Sequence, residues 1–244
     1  TSNQNKLSTN CKHALFAIKK SELTDSRTDF ALMSTCKGML KQYCEGVDDA
    51  NALTCLKLHK DETMFDKKCH MVVVNRLILQ NQDFRFNPDL QQACSKDIAD
   101  YCTRIVAEAK ENEELNGKVI NCLKQKFREA KLIPKCERQM TAILHDQALN
   151  YKLNPLLATV CRNEIDVLCK NEDDDNDEEG EVEECLKRQF LAKKIITPMC
   201  KIEVATLIQE AKADIHVDPI LLKACTVDLL KYCSNIESGN GRRE

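Results

Sequence analysis

The sequence predicts an all-α protein, a disulfide-stapled helical repeat array with about three helices in each unit of about 60 residues. A cysteine motif recurs four times within 244 residues, two further cysteines follow each of the first three copies, and the second of these always stands 25 residues before the next motif, in a chain with fifteen cysteines in all. Composition agrees. Six glycines, five prolines and no tryptophan accompany long stretches of Leu, Ala, Glu, Lys and Arg, which are mostly strong helix formers.

The motif spans residues 32–44, 90–102, 157–169 and 221–233, with cysteine pairs Cys36/Cys44, Cys94/Cys102, Cys161/Cys169 and Cys225/Cys233. An apolar residue stands four before the first cysteine and another four after it, as in Leu90, Cys94, Ile98, Cys102. That spacing is one stripe of an α-helix. Seven residues before the first cysteine stand Asp29, Asn87, Asn154 and Asp218, all good N-caps, and Pro88, Pro155 and Pro219 follow three of them at the first helical position.

A second helix is expected to open near Cys55, Cys122 or Cys185, with Leu123/Phe127 and Leu186/Phe190 at four-residue spacing, and to end before Pro134 and Pro198. The third carries an amphipathic stripe: Cys11/Leu15/Ile18, Cys69/Val73/Leu77, Cys136/Met140/Ile143/Leu144 and Cys200/Val204/Leu207/Ile208. From its cysteine to the next motif is always 25 residues. Residues 1–28 then read as the tail of one cysteine-rich repeat, 29–86, 87–153 and 154–217 as complete ones, and 218–244 as the start of another. Tyr43, Tyr101 and Tyr232 precede the motif's second cysteine, and packing between units is their expected use.

Two cysteines eight apart on one helix lie about 12 Å apart, too far to bond, so each motif helix is stapled to two partners. Pairing within complete units would leave Cys11, Cys225 and Cys233 free. Pairing each third-helix cysteine with the next motif helix leaves only Cys225 or Cys233 over and rigidifies the array, and is the favoured expectation. Each bond adds roughly 2–4 kcal/mol to units too small to be stable alone.

This cysteine density points to the oxidising secretory pathway. No short ligand spacing such as CxxC occurs, so no metal or other cofactor is expected. With neither a signal sequence nor a long apolar run, the chain reads as an excised luminal fragment of something longer.

Residues 171–184 form a dense acidic loop containing Asp173, Asp174, Asp175, Asp177, Glu178 and Glu179. Aligned on Gly180 as an EF-hand, it offers Asp175, Asp177, Glu179 and Glu181, but position 12 is Leu186 where a bidentate Glu is needed. Three readings stay open: a solvated loop, loose cation association, or attraction of a basic protein partner. The second helices carry the opposite charge, in Lys124, Lys126, Arg128, Lys131 and Lys135 and in Lys187, Arg188, Lys193 and Lys194. This fits a solvent face, with a glycosaminoglycan surface as the alternative. The five histidines recur at no fixed position, so no catalytic set is built from them and no enzyme is expected. A formal charge of -3 gives no reason to expect nucleic acid. No Asn-x-Ser/Thr sequon is present.

The four-cysteine units, the Ala-Cys start and Tyr-Cys end of the helices at 93–102 and 224–233, and the Cys-Leu-Lys of residues 122–124 and 185–187 resemble the cysteine-rich repeats of the Golgi apparatus protein family. Members of that family are also described as cysteine-rich fibroblast growth factor receptors and E-selectin ligands. The resemblance covers essentially the whole chain. It implies a luminal piece of a type I membrane protein of the Golgi and cell surface that binds fibroblast growth factors, influences their trafficking and has no enzymatic activity. E-selectin recognition would belong to other, glycosylated repeats. Lipid carriage by a saposin-like module is the rival reading, as is a plain spacer role.

Overall fold

The computed structural model describes residues 7–109, 113–170, 172 and 180–234, which hold fourteen α-helices and no strand. In chain order these are α1 (Thr9–Thr24), α2 (Phe30–Thr35), α3 (Lys37–Tyr43), α4 (Ala52–His59), α5 (Lys67–Gln82), α6 (Pro88–Tyr101), α7 (Thr103–Ala107), α8 (Lys118–Arg128), α9 (Pro134–Leu149), α10 (Pro155–Val160), α11 (Arg162–Leu168), α12 (Glu181–Leu191), α13 (Pro198–Ala213) and α14 (Pro219–Tyr232). The described residues form two compact units, one from Thr1–Gln92 and Thr103–Val119, the other from Ala93–Cys102 and Ile120–Glu244.

The motif helices start as their sequence dictates. Asp29, Asn87, Asn154 and Asp218 each accept a side-chain hydrogen bond from the N–H three residues on, at 3.0, 3.0, 3.2 and 3.0 Å. Two of the four are interrupted at their first cysteine, however. Cys36 and Cys161 leave helical geometry, with φ/ψ of -91°/7° and -102°/7°, and divide α2 from α3 and α10 from α11. β-Branched Thr35 and Val160 precede those cysteines, whereas Ala93 and Ala224, the better helix formers, precede the cysteines of the continuous α6 and α14.

The third helices α1, α5, α9 and α13 are each 16 residues long. The stripes of the last three are buried, with Cys69, Val73, Cys136, Met140, Cys200 and Val204 fully inaccessible. The second helices end before Pro134 and Pro198 as expected, and those prolines open α9 and α13. Those earlier helices stop at Arg128 and Leu191, and Ala130 and Lys193 then adopt left-handed φ of 51° and 57°.

The disulfides correct the favoured pairing. Cys36–Cys69, Cys94–Cys136 and Cys161–Cys200 join each motif helix to the third helix of its own set, with Cα atoms 4.8, 4.6 and 4.8 Å apart. Cys44–Cys55, Cys102–Cys122 and Cys169–Cys185 join the same motif helix to its second helix, at 6.0, 6.1 and 5.9 Å. Each of these three motif helices thus has two partners, both within its set, while Cys11 and the two cysteines of α14, Cys225 and Cys233, are free thiols. The physical reason is distance. About 13 residues of helix follow each third-helix cysteine, a rod of about 20 Å that separates it from the start of the next motif helix. Helices without a complete set leave their stripes open: Cys11 and Ile18 on α1, and Leu221, Cys225 and Leu229 on α14, are exposed or half-exposed.

The tyrosines are also corrected. Tyr43 stacks on His59 and Phe65 at ring separations of 5.1 and 6.0 Å, and Tyr101 donates to the Lys131 carbonyl, so both pack within their own set. Tyr232 is exposed beneath the Lys231 ammonium.

A short connector ties each third helix to the next motif helix. Its four copies, residues 25–29, 83–87, 150–154 and 214–218, share a pattern: Asp or Asn, a basic residue two on, and Asp or Asn four on. The first carboxylate or amide accepts from the basic residue's N–H, at 3.1, 3.0, 3.0 and 3.0 Å, and holds a single 3-10 turn. Where it is Asp, the side chain of Arg27, Arg85 or His216 folds back onto it.

Candidate functional site

The six acidic candidates Asp173, Asp174, Asp175, Asp177, Glu178 and Glu179 lie outside the described residues. Their flanks are placed. Gly180, at φ 75°, precedes α12 and donates its N–H to the Leu149 carbonyl at 3.0 Å. Gly117, at φ 74°, precedes α8 and donates in the same way to the Gln82 carbonyl at 2.7 Å. The glycine read as an EF-hand turn therefore anchors a helix start to the end of α9. Leu186, at the twelfth position of that alignment, is fully buried in the apolar core around Leu157, Ile165 and Val204 and offers no ligand.

Above that anchor lies a buried charged cluster. On α12, Glu183, Leu186, Lys187 and Phe190 follow the i, i+3, i+4, i+7 stripe, and on α8 Ile120, Leu123, Lys124 and Phe127 do the same. The charged members of both stripes turn inward. Lys124 is 2% exposed, with its Nζ 3.6 Å from Glu210 Oε2 and 4.0 Å from Glu203 Oε1 on α13. Glu203 also accepts from Asn154 Nδ2 at 3.2 Å, so the N-cap of α10 is tied into the cluster. Glu183, Gln147, Lys187 and Glu210 line a cavity of about 10 Å3. Burial pushes Glu183 up to about 8, against the opposing fields of Lys187 and Lys124. It also raises Glu210, with Lys124 opposing. Lys187 donates to Glu184 at 2.6 Å and reaches Asp218, the cap of α14, at 3.5 Å.

These contacts correct the reading of the second helices as a basic surface. Lys124 is core and Lys187 is largely so. Lys126 and Lys131 share Glu129 at 2.9 and 2.8 Å, and Arg188 meets Glu172 at 3.2 Å. Among the described residues, no group of three His, Cys, Asp or Glu side chains is arranged to hold a metal ion, and no helix is long and apolar enough to cross a membrane.

The connector pattern and the inward lysines escaped the sequence reading, although both left signals. The basic residue recurs between two Asx positions four times, and Lys124 falls on a stripe otherwise made of Ile120, Leu123 and Phe127.

Comparison with known proteins agrees with this periodicity. The model of the cysteine rich repeat family matches four times, over residues 9–64, 67–131, 134–194 and 198–243. The chain is 43% identical over 237 residues, 97% of its length, to Golgi apparatus protein 1 of Gallus gallus, covering 21% of that protein. With Golgi apparatus protein 1 of Homo sapiens it shares 41% over 241 residues, 99% of the chain and 20% of the relative. With the Golgi apparatus protein 1 homolog of Caenorhabditis elegans it shares 28% over 244 residues, 95% of the chain and 21% of the relative. The chain thus spans about a fifth of the length of these relatives. No solved structure matches. Four phased repeats, six disulfides of two recurring geometries and near full-length similarity lead to one conclusion: the chain belongs to the cysteine rich repeat family and is similar throughout to a portion of Golgi apparatus protein 1.

Proposed function

We propose that this chain is a non-enzymatic binding scaffold of the Golgi lumen and cell surface that captures secreted fibroblast growth factors and influences their trafficking. Residues 29–86, 87–153 and 154–217, within which the disulfides close, serve as its rigid units. The similarity to Golgi apparatus protein 1 supports the compartment, and the repeat family carries the growth factor receptor in its label. The observation that carries the ligand reading is charge: of ten acidic residues within 171–184, six, Asp173, Asp174, Asp175, Asp177, Glu178 and Glu179, run together apart from the buried Glu183 and the ion-paired Glu172 and Glu184. A dense negative segment speeds encounter with a cationic protein. Attachment to the membrane and recognition by E-selectin belong to other parts of the longer protein. The glycosaminoglycan alternative is weakened by the buried Lys124 and by the Lys126–Glu129–Lys131 network.

The test is binding of a basic fibroblast growth factor at about 0.05 and about 0.3 M salt, where the Debye length falls from about 14 to about 6 Å. A variant with Asp173, Asp174, Asp175, Asp177, Glu178 and Glu179 changed to their amides is measured in parallel. Binding that weakens with salt and with the variant supports capture by the acidic segment. Equal binding by the variant moves the site to the helical faces, and no binding under any condition leaves a spacer.

A further inference from the structure

The corner between α12 and α13 differs from the matching corner between α8 and α9 in a way that points to a second interaction surface. Phe190 and Lys193 align with Phe127 and Ala130, since Lys193 and Ala130 share the left-handed φ, and Cys200 aligns with Cys136. In that register Arg128, Glu129, Lys135 and Arg138 are replaced by Leu191, Ala192, Met199 and Ile202. Four polar positions of this corner have become apolar. Leu191, Met199, Ile202 and Ile196 are 74, 54, 60 and 83% exposed. Scattered apolar residues need no explanation, but exposed apolar residues concentrated at one corner beside a groove mark an interaction site.

The surface is concave and positively charged at its rim. Phe190, Leu191 and Ile195 line a groove of about 480 Å3 whose other lining residues are Lys193 and Lys201. Glu129, which neutralises Lys126 and Lys131 in the α8–α9 corner, is Ala192 here. Among the described residues none of Lys193, Lys194 and Lys201 forms an ion pair.

We infer that this groove docks an amphipathic helical segment of a protein partner, with two or three apolar side chains seated over Ile195 and acidic residues flanking them against Lys193, Lys194 and Lys201. Apolar anchors at helical spacing in a groove are an established mode of recognition, and complementary charge at the rim gives register and a faster encounter. A concave floor formed by the half-buried Phe190 and buried Ile195 favours convex side chains over a bilayer, which takes up a convex apolar face. Its occupant has the opposite charge to a basic growth factor.

The probe is a fluorescein-labelled helical peptide of about 18 residues, with leucines on one stripe and glutamates on either side, titrated with the whole chain and followed by anisotropy. Saturable binding is expected. It should weaken at least about tenfold when the peptide's glutamates are glutamines, when the chain carries Leu191→Arg, Met199→Lys and Ile202→Arg, and when it carries Lys194→Glu and Lys201→Glu. The first chain variant restores the residue types that the α8–α9 corner already tolerates, and an unchanged melting temperature for both variants confirms their folding. Equal affinity for the glutamine peptide, or binding retained by either variant, overturns the proposal. So does a chain that ignores the peptide and instead binds phosphatidylserine vesicles through Leu191 and Ile202.

Discussion

Gly180 donates its backbone N–H to the carbonyl of Leu149, the last residue of α9, at 3.0 Å. The bond satisfies one of the carbonyls that a helix end leaves without an intrahelical partner, and it fixes where α12 begins. Gly117 makes the same bond to Gln82 at the start of α8. In both cases the glycine that precedes the second helix of one set is hydrogen-bonded to the last residue of the third helix of the set before it.

Gly180→Ala tests that bond. A Cβ at this position would meet the Ala148 carbonyl oxygen at 2.5 Å, and φ of 75° strains any side chain. Backbone atoms on both sides cannot step aside. The substitution should cost about 1–3 kcal/mol in urea denaturation. Gly38→Ala is the control, since its Cβ meets nothing within 4 Å and it lies inside α3, where alanine is the better helix former. Equal losses at the two sites would refute the anchoring role.

Disulfide mapping of the oxidised chain by non-reducing peptide mass should recover Cys36–Cys69 and Cys44–Cys55 with their counterparts, and thiol titration should count three free cysteines. Cys11, which is exposed, should react before the half-buried Cys225 and Cys233. Replacing Cys36 and Cys69 together by alanine closes no loop of 33 residues in the unfolded chain and should cost about 4 kcal/mol; replacing Cys44 and Cys55, separated by 11, should cost about 3 kcal/mol. A Cys69–Cys94 bridge in the map would restore the pairing between sets.

How much of this was readable beforehand follows from periodicity. Leu90, Cys94, Ile98 and Cys102 lie four apart, which allows only a helix with one buried stripe, and Asn87 with Pro88 announces its start. The breaks at Cys36 and Cys161 were harder to see, because the cost of Thr35 or Val160 in a helix is a few tenths of a kcal/mol and tertiary packing decides. Disulfide partners were not readable from intervals. Whether Cys69 turns back to Cys36 or forward to Cys94 depends on which way α5 runs, and a constant 25-residue interval fits both. The inward Lys124 could have been seen on its stripe, but the acid that meets it, Glu210, is 86 residues away in sequence and no local pattern connects them.

Glu183 gives the stability a pH dependence of known sign. Its pKa is about 8 when folded against an ordinary 4.5, so between those values the folded chain keeps a proton that the unfolded chain releases. Stability should therefore fall as pH rises from about 4.5 to about 8, by at most about 1.4 kcal/mol per pH unit, and level off above. Glu183→Gln keeps the shape without the charge. It should flatten that slope and be more stable than the parent at pH 8 but not at pH 4.5, as read by urea midpoints at both. A parent curve that rises with pH across this window would rule out a neutral Glu183.

Lys124→Met asks whether the buried cation holds the cluster together. Without it, Glu210 and Glu203 lose the ammonium 3.6 and 4.0 Å away, and carboxylates without a counter-charge in the interior are costly. At pH 8 the loss should be about 3–5 kcal/mol. At pH 5 it should be smaller, because Glu210, already raised by burial, takes up a proton and no longer needs the partner. Adding Glu210→Leu to Lys124→Met should recover part of the pH 8 loss, since an apolar pair replaces an uncompensated charge. Lys124 also covers apolar surface with its stem, which methionine reproduces, so packing alone predicts a small effect that is the same at both pH values. Equal losses at pH 5 and 8 would therefore assign Lys124 a packing role and leave Glu203 bound only through Asn154.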